Sequence, residues 1–186
     1  MTNRSRGPDR EARFTALYHA TYADLIRFAR RRAHPTHADD IVAEAFLVAW
    51  RRLDDVPAGP LDARAWLFGI ARHTMLNARR GDERQQALAV RLAETTAAPP
   101  GIDADLVAAQ LDLKTAWNQL SAVHQEALAL AALEDLAAPQ AAVVLGISPV
   151  AFRLRLSRAR RALRLQLGHL PRTAPAPAGI PEGQIS

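Results

Sequence analysis

Arginines at 153, 155, 158, 160, 161 and 164 follow each other closely, and no carboxylate occurs between Asp135 and Glu182. A guanidinium presents a planar fork of donors that matches a guanine edge or a phosphate. At 100° per residue from Phe152, the side chains of Phe152, Leu156, Ala159 and Leu163 share a narrow arc and form an apolar stripe. Val150, Leu154, Ser157 and Arg161 lie opposite, flanked by Arg153 and Arg158. That far face has arginines for base edges and apolar side chains for thymine methyls. Arg155 and the remaining arginines suit phosphate, which adds affinity without reading sequence. A solvated basic helix with no partner is the competing reading.

The flanking residues say how such a helix is held. Gly146 can take the left-handed conformation that ends a helix, Ser148 can cap the next one, and Pro149 suits its first turn. An apolar helix, a glycine turn and a basic helix make the pattern of a DNA-reading helix-turn-helix.

A second basic stretch lies at Asp62-Ala-Arg-Ala-Trp-Leu-Phe-Gly-Ile-Ala-Arg-His-Thr-Met-Leu-Asn-Ala-Arg-Arg80. Leu67, Ile70, Ala71 and Thr74 form one stripe, and Arg64, Phe68, Arg72, Met75 and Arg79 form another. Cations interleaved with an aromatic ring suit a partly unstacked nucleic-acid strand. The alternative is a helix that packs Trp66 and Phe68 inward, and periodicity alone leans that way. The preceding helix differs. Ile41, Ala45, Val48 and Ala49 face inward, while Asp40, Glu44, Leu47 and Arg51 line an acidic and apolar stripe. That stripe is a poor DNA surface and fits a protein partner or plain solvent.

Composition frames these surfaces. The chain has 186 residues, a formal net charge of +5 and no cysteine, which excludes disulfides and thiolate metal sites. The apolar fraction of 49% supports helical cores built mostly of Ala, Leu and Val. No apolar run approaches the ~18 residues of a membrane span, so no membrane insertion is expected. The N-terminal residues lack a signal-peptide core, and a cytoplasmic location follows as the expectation.

Strand signals are poor and helical spacing dominates, which predicts an all-α fold of two small helical domains joined by a flexible linker. Residues 1–10 are expected to be disordered. A first domain spans 11–84, with helices near Glu11–Arg32, from a Thr36/Asp39 capping box to about Leu53, and from an Asp62 cap over Ala63–Arg80. Asp54-Asp-Val-Pro-Ala-Gly-Pro-Leu61 reads as a loop. Residues 85–104 have linker chemistry, 105–168 hold the second domain, and 169–186 form a Pro/Ala-rich tail expected to be disordered.

Three segments resemble one family. Asp39-Asp-Ile-Val-Ala-Glu-Ala-Phe-Leu-Val-Ala-Trp-Arg51 resembles the core-polymerase-binding helix of bacterial sigma factors. Ala63–Arg72 is similar to the helix that handles the −10 promoter element. Leu145–Leu163 looks like the −35-reading helix-turn-helix. The layout resembles that of the extracytoplasmic-function (ECF) subgroup. The resemblance implies that Asp40, Glu44, Phe46 and Leu47 meet the β′ clamp coiled coil of RNA polymerase core, with the β flap as a further contact. It places a base flipped from the −10 strand near the loop from Asp54 and Asp55 to Leu61, with Arg64, Trp66, Arg72 and His73 on the adjoining helix; Phe68 and Arg79 join these from the helical stripe. It matches Arg153, Arg155 and Arg158 to basic positions of the −35-reading helix, and Ser148, Val150, Leu154, Ser157 and Arg161 complete that candidate face from the spacing.

Core polymerase, promoter DNA and an anti-sigma factor are the implied partners, with no cofactor, no metal and no catalysis. Some positions depart from the family pattern. Ala43 replaces a glutamine, His73 an asparagine and Leu154 a small polar residue. In the first helix of the motif, Ala138-Pro139-Gln140 and Val143 stand where an aromatic and acidic residues are usual. An autonomous dimeric helix-turn-helix repressor would account for the second domain but would leave the first unused. A metal protein built on His34, His37, Asp39, Asp40 and Glu44 lacks convergent ligands.

Overall fold

The computed structural model describes residues 6–78, 87–92 and 104–169. Seven α-helices account for nearly all of them. They are α1 (Arg6–Arg32), α2 (Pro35–Arg51), α3 (Pro60–Ala78), α4 (Ala104–Asn118), α5 (Ala122–Ala132), α6 (Ala138–Leu145) and α7 (Pro149–His169), with a single 3-10 turn at Leu53–Asp55. The all-α expectation holds for these residues.

Helix α1 begins at Arg6, inside the stretch 1–10. Its last turn is Arg30-Arg31-Arg32, cations beside the exposed carbonyls at the negative end of a helix. Helix α2 is capped differently from the expected Thr36/Asp39 box. The His34 side chain accepts from the Thr36 N–H at 3.4 Å, and Pro35 occupies the first turn. Asp62 is likewise not a cap. Helix α3 starts two residues earlier at Pro60, which leaves Asp62 inside the first turn, where its charge favours the helix dipole.

The first three helices pack on one another through Leu25, Phe28, Ile41, Ala45, Phe46, Leu67 and Phe68. Phe28 stacks on Phe68 with ring centroids 4.4 Å apart. The last four helices close around Trp117, Leu128, Leu130, Val144, Leu145, Phe152 and Ala159. Gly146 has φ +65°, and the Ala151 N–H donates to Ser148 Oγ at 3.1 Å, as the turn chemistry requires. These two bundles are not separate bodies. Helix α3 makes its most extensive contact with α6 of the second bundle.

Residues 87–92, inside the expected linker, are extended and docked. Trp117 Nε1 donates to the Val90 carbonyl at 2.6 Å, and Val90 N–H donates to Gln125 Oε1 at 3.1 Å. The Arg91 N–H donates to the Arg31 carbonyl at 2.9 Å, and its guanidinium bonds the carbonyls of Arg30 and Ala33. Leu88 is fully buried. The segment caps the end of α1 and leans on α4 and α5 at once. Residues 79–86, 93–103 and the expected tail beyond His169 lie outside the described residues.

Gly146 generates a test. A Cβ added there meets nothing within 4 Å, so only backbone strain opposes substitution. Gly146→Ala should therefore lower stability by roughly 1–2 kcal/mol, the left-handed penalty of an L-residue. Urea denaturation of both proteins measures it.

Candidate nucleic-acid interface

Helix α7 shows its polar face as expected. Phe152 and Ala159 are buried against α5 and α6, with Leu156 and Leu163 half-buried beside them. Ser148, Val150, Arg153, Leu154, Ser157, Arg158 and Arg161 are all exposed, and Arg155 is half-buried. Val150 is 65% exposed and Leu154 52%, values that leave both free to meet a groove. The short α6 and the Gly146 turn lead into the start of α7, whose first residues are exposed.

On α2, Asp40, Glu44, Leu47 and Arg51 form the exposed stripe, and Leu47 is 50% exposed. Phe46 is 5% exposed, with its ring centroid 4.7 Å from Tyr18 and 6.1 Å from Phe14. It holds α2 against α1.

Helix α3 takes the inward-packing alternative toward which periodicity leaned. Phe68 is fully buried on Phe28, Met75 is 3% exposed and Arg72 is 9% exposed. The helix packs on α1 and α2 on one side and α6 on the other, so the described members of both stripes are buried or half-buried. Arg79 lies outside the described residues. Trp66 is half-buried with the Arg52 guanidinium 5.7 Å above its ring, and His73 is exposed. Asp54 pairs at longer range with Arg10 and Arg13, at 3.6 and 3.8 Å, and Asp55 accepts from Arg52 Nε at 2.9 Å. Glu44, Arg52, Trp66, Arg72 and His73 converge on a cavity of about 600 Å³ whose far wall is Val143–Gly146.

Charge explains how the arginines of α3 tolerate burial. Arg72 Nε and Nη2 donate to Glu126 Oε1 and Oε2 at 2.6 and 3.0 Å, a bidentate pair with α5. Arg64 donates to Asp24 Oδ2 at 2.9 Å and to the Glu134 carbonyl at 2.6 Å. The Glu134 carboxylate itself takes Arg32 at 2.9 Å and Arg31 at 3.2 Å. Burial lowers the pKa of the Arg32 guanidinium, and Glu134 opposes that shift. Gln140 of α6 donates to Asp62 Oδ1 at 2.8 Å.

Sequence reasoning missed Asp24, Glu126, Glu134 and Gln140. A signal existed for one of them: Glu126 interrupts the apolar run Ala127-Leu-Ala-Leu-Ala-Ala132 at its start, an odd place for a solvated charge. No group of metal-ligating side chains occurs among the described residues, and none of their helices is long and apolar enough to cross a membrane.

Comparison with known proteins agrees with the two-bundle plan. Residues 17–85 match the Sigma-70 region 2 family, and residues 110–163 match Sigma-70 region 4. The chain is 33% identical over 159 residues to the ECF RNA polymerase sigma factor SigL of Mycobacterium tuberculosis, covering 83% of this chain and 89% of that protein. It is 35% identical over 152 residues to the sigma factor CnrH of Cupriavidus metallidurans, covering 75% and 78%. Among solved structures it is similar to the sigma factor RpoE of Bartonella quintana in complex with the anti-sigma factor NepR. That match has a TM-score of 0.60 and 26% identity over 84% of this chain and 97% of that one. CnrH in complex with the cytosolic domain of CnrY gives a TM-score of 0.54 and 30% identity, covering 83% and 87%. The chain belongs to the sigma-70 family, in its ECF branch, and is a sigma factor of transcription initiation.

The α7 geometry predicts two opposite outcomes on one helix. Arg153→Ala and Arg158→Ala remove exposed side chains and should each change stability by less than about 0.5 kcal/mol. Phe152→Ala empties a core position and should cost about 3–5 kcal/mol. Urea unfolding followed by circular dichroism separates them.

Proposed function

We propose that this sigma factor works in the cytoplasm, docks RNA polymerase core through α2, and places α7 on −35 duplex DNA. The N-terminal bundle then captures the melted −10 strand. The observation that carries the reading is α7, whose exposed face holds Val150, Arg153, Leu154, Ser157, Arg158 and Arg161 while its opposite face anchors the core. The exposed acidic and apolar stripe of Asp40, Glu44 and Leu47 supports α2 as the polymerase contact, the β′ clamp coiled coil being its partner and the β flap a second one.

On the −10 side, the accessible groups are the Asp54 and Asp55 turn, Trp66 and His73. Arg64 and Arg72 would join them once released from their carboxylates. Holding a flipped base couples binding energy to strand opening, and unstacking costs a few kcal/mol per step. Two DNA contacts on one chain make the second intramolecular, which raises its effective concentration. By likeness to the two relatives solved in complexes, an anti-sigma factor is the expected regulator. No catalytic role is assigned to any residue. The dimeric-repressor alternative gives no role to the N-terminal bundle and is not favoured.

Run-off transcription with purified core polymerase on a genomic library tests the whole. Specific start sites that depend on this chain are expected, and none at all would refute the reading. Glu44→Arg or Asp40→Arg should weaken core binding about tenfold or more with helicity unchanged, since a like charge then faces the partner. Arg153→Ala with Arg158→Ala should reduce duplex affinity and lower the salt slope by roughly one for each phosphate no longer neutralised.

A further inference from the structure

A basic cavity of about 650 Å³ opens where the end of α1, the segment 87–92 and α4 meet. Arg27, Arg30, Arg31, Arg91 and Lys114 line it, and among the described residues no carboxylate does. No described residue of α3 or α7 belongs to its wall, so the cavity is distinct from both candidate DNA surfaces. Lys114 is the chain's only lysine. It is exposed on α4 and has no ion-pair partner among the described residues.

The arginines are only partly compensated. Arg27 shares Asp24 with Arg64, and Arg31 shares Glu134 with Arg32. Arg30 stands 3.9 Å from Asp39, a long ion pair between two exposed side chains. The Arg91 guanidinium is held by neutral partners, the carbonyls of Arg30 and Ala33, so its charge is not cancelled. That contact also removes an obstacle. The carbonyls that end α1 form the negative pole of a 27-residue helix and would repel an anion. Arg91 covers them with its backbone N–H and its side chain. On the other wall Pro35 opens α2, whose positive pole favours an anion. A cleft lined by one sign of charge concentrates the opposite sign.

We infer that this cavity binds an oligophosphate, either the free inorganic chain or the phosphate tail of a nucleotide. Guanidinium forks match phosphate oxygens, and a lysine adds a point charge. The volume is that of a small-ligand site, typically about 300–1,000 Å³. Five cations converging on one cavity suit a compact, multiply charged anion. A nucleic-acid strand spreads its charge along an extended groove instead.

Isothermal titration calorimetry of the full chain, with sodium tripolyphosphate, ATP and adenosine as probes, tests the assignment. Saturable one-to-one binding of tripolyphosphate is expected, weakening as salt rises. Equal affinity for ATP assigns the site to the phosphate chain alone, and tighter binding of ATP assigns it to a nucleotide. Adenosine should not bind. Lys114→Glu with Arg30→Ala, both at exposed positions, should weaken tripolyphosphate about tenfold or more while the free protein melts as before. Arg153→Ala with Arg158→Ala should leave the affinity unchanged, because α7 is not in the wall. The lone lysine allows a measurement on the unsubstituted chain as well. Tripolyphosphate should protect Lys114 from acetylation, located by peptide mass spectrometry, and leave the α-amine reactive.

No saturable binding, adenosine binding as tightly as ATP, or Lys114 acetylated equally fast with and without tripolyphosphate overturns the inference. So does binding that is lost with the α7 pair and kept in the Lys114→Glu, Arg30→Ala protein. A single-stranded oligonucleotide that displaces tripolyphosphate and binds more tightly than ATP overturns it in favour of a nucleic-acid strand.

Discussion

An arginine can leave water only in the company of an anion, and this chain buries or half-buries four of them along one seam. Arg31, Arg32, Arg64 and Arg72 belong to the N-terminal bundle, while Glu126 and Glu134 belong to the other. Arg64 also pairs with Asp24 of its own bundle, and the other carboxylates come from across the seam. The relation between the two halves is therefore set by charge first and by apolar contact second. Alone in an apolar interior, Arg72 would face a desolvation penalty of several kcal/mol. The bidentate Glu126 offsets it in this register of α5 on α3. The docked segment at residues 87–92 obeys the same constraint, since Arg91 satisfies carbonyls that α1 leaves open.

How much of this was legible in the sequence depends on how many neighbours each helix has. Helices α2 and α7 each pack on one side, so one apolar stripe and one exposed stripe appear at 3.6-residue spacing. The exposure of Asp40, Glu44 and Leu47, and of Arg153, Leu154 and Arg158, follows from that spacing. Helix α3 packs on α1, α2 and α6, which leaves His73 and Asn77 exposed and no single stripe to mark the buried side. Phe68 and Arg72 share a stripe whose members look exposed in projection, yet one is stacked on Phe28 and the other paired with Glu126. Phe46 lies near the edge of the α2 stripe, and Tyr18 and Phe14 claim it. The Gly146 turn and the Ser148 cap were readable because they depend on local conformation only. The carboxylates were not readable, because a glutamate in a helix carries no mark of the arginine it will meet far along the chain.

Helix α6 is built of small and neutral residues, Ala138, Pro139, Gln140 and Val143 among them. Ala141, Ala142 and Val144 complete an apolar helix with no charge at all. An acid on that face would enter the seam already balanced by Glu126 and Glu134. A large ring would hold α6 away from Gly69. Gln140 supplies a donor for Asp62 and brings no charge of its own. Small and neutral residues on α6 and a glycine on α3 are two halves of one fit. The same economy of bulk leaves α7 untouched, because its anchors, Phe152 and Ala159, point into the second bundle and its arginines point away. A helix-turn-helix of this build divides its surfaces: its first helix seats on the chain's own α3, and its second keeps Val150, Arg153, Leu154 and Arg158 exposed.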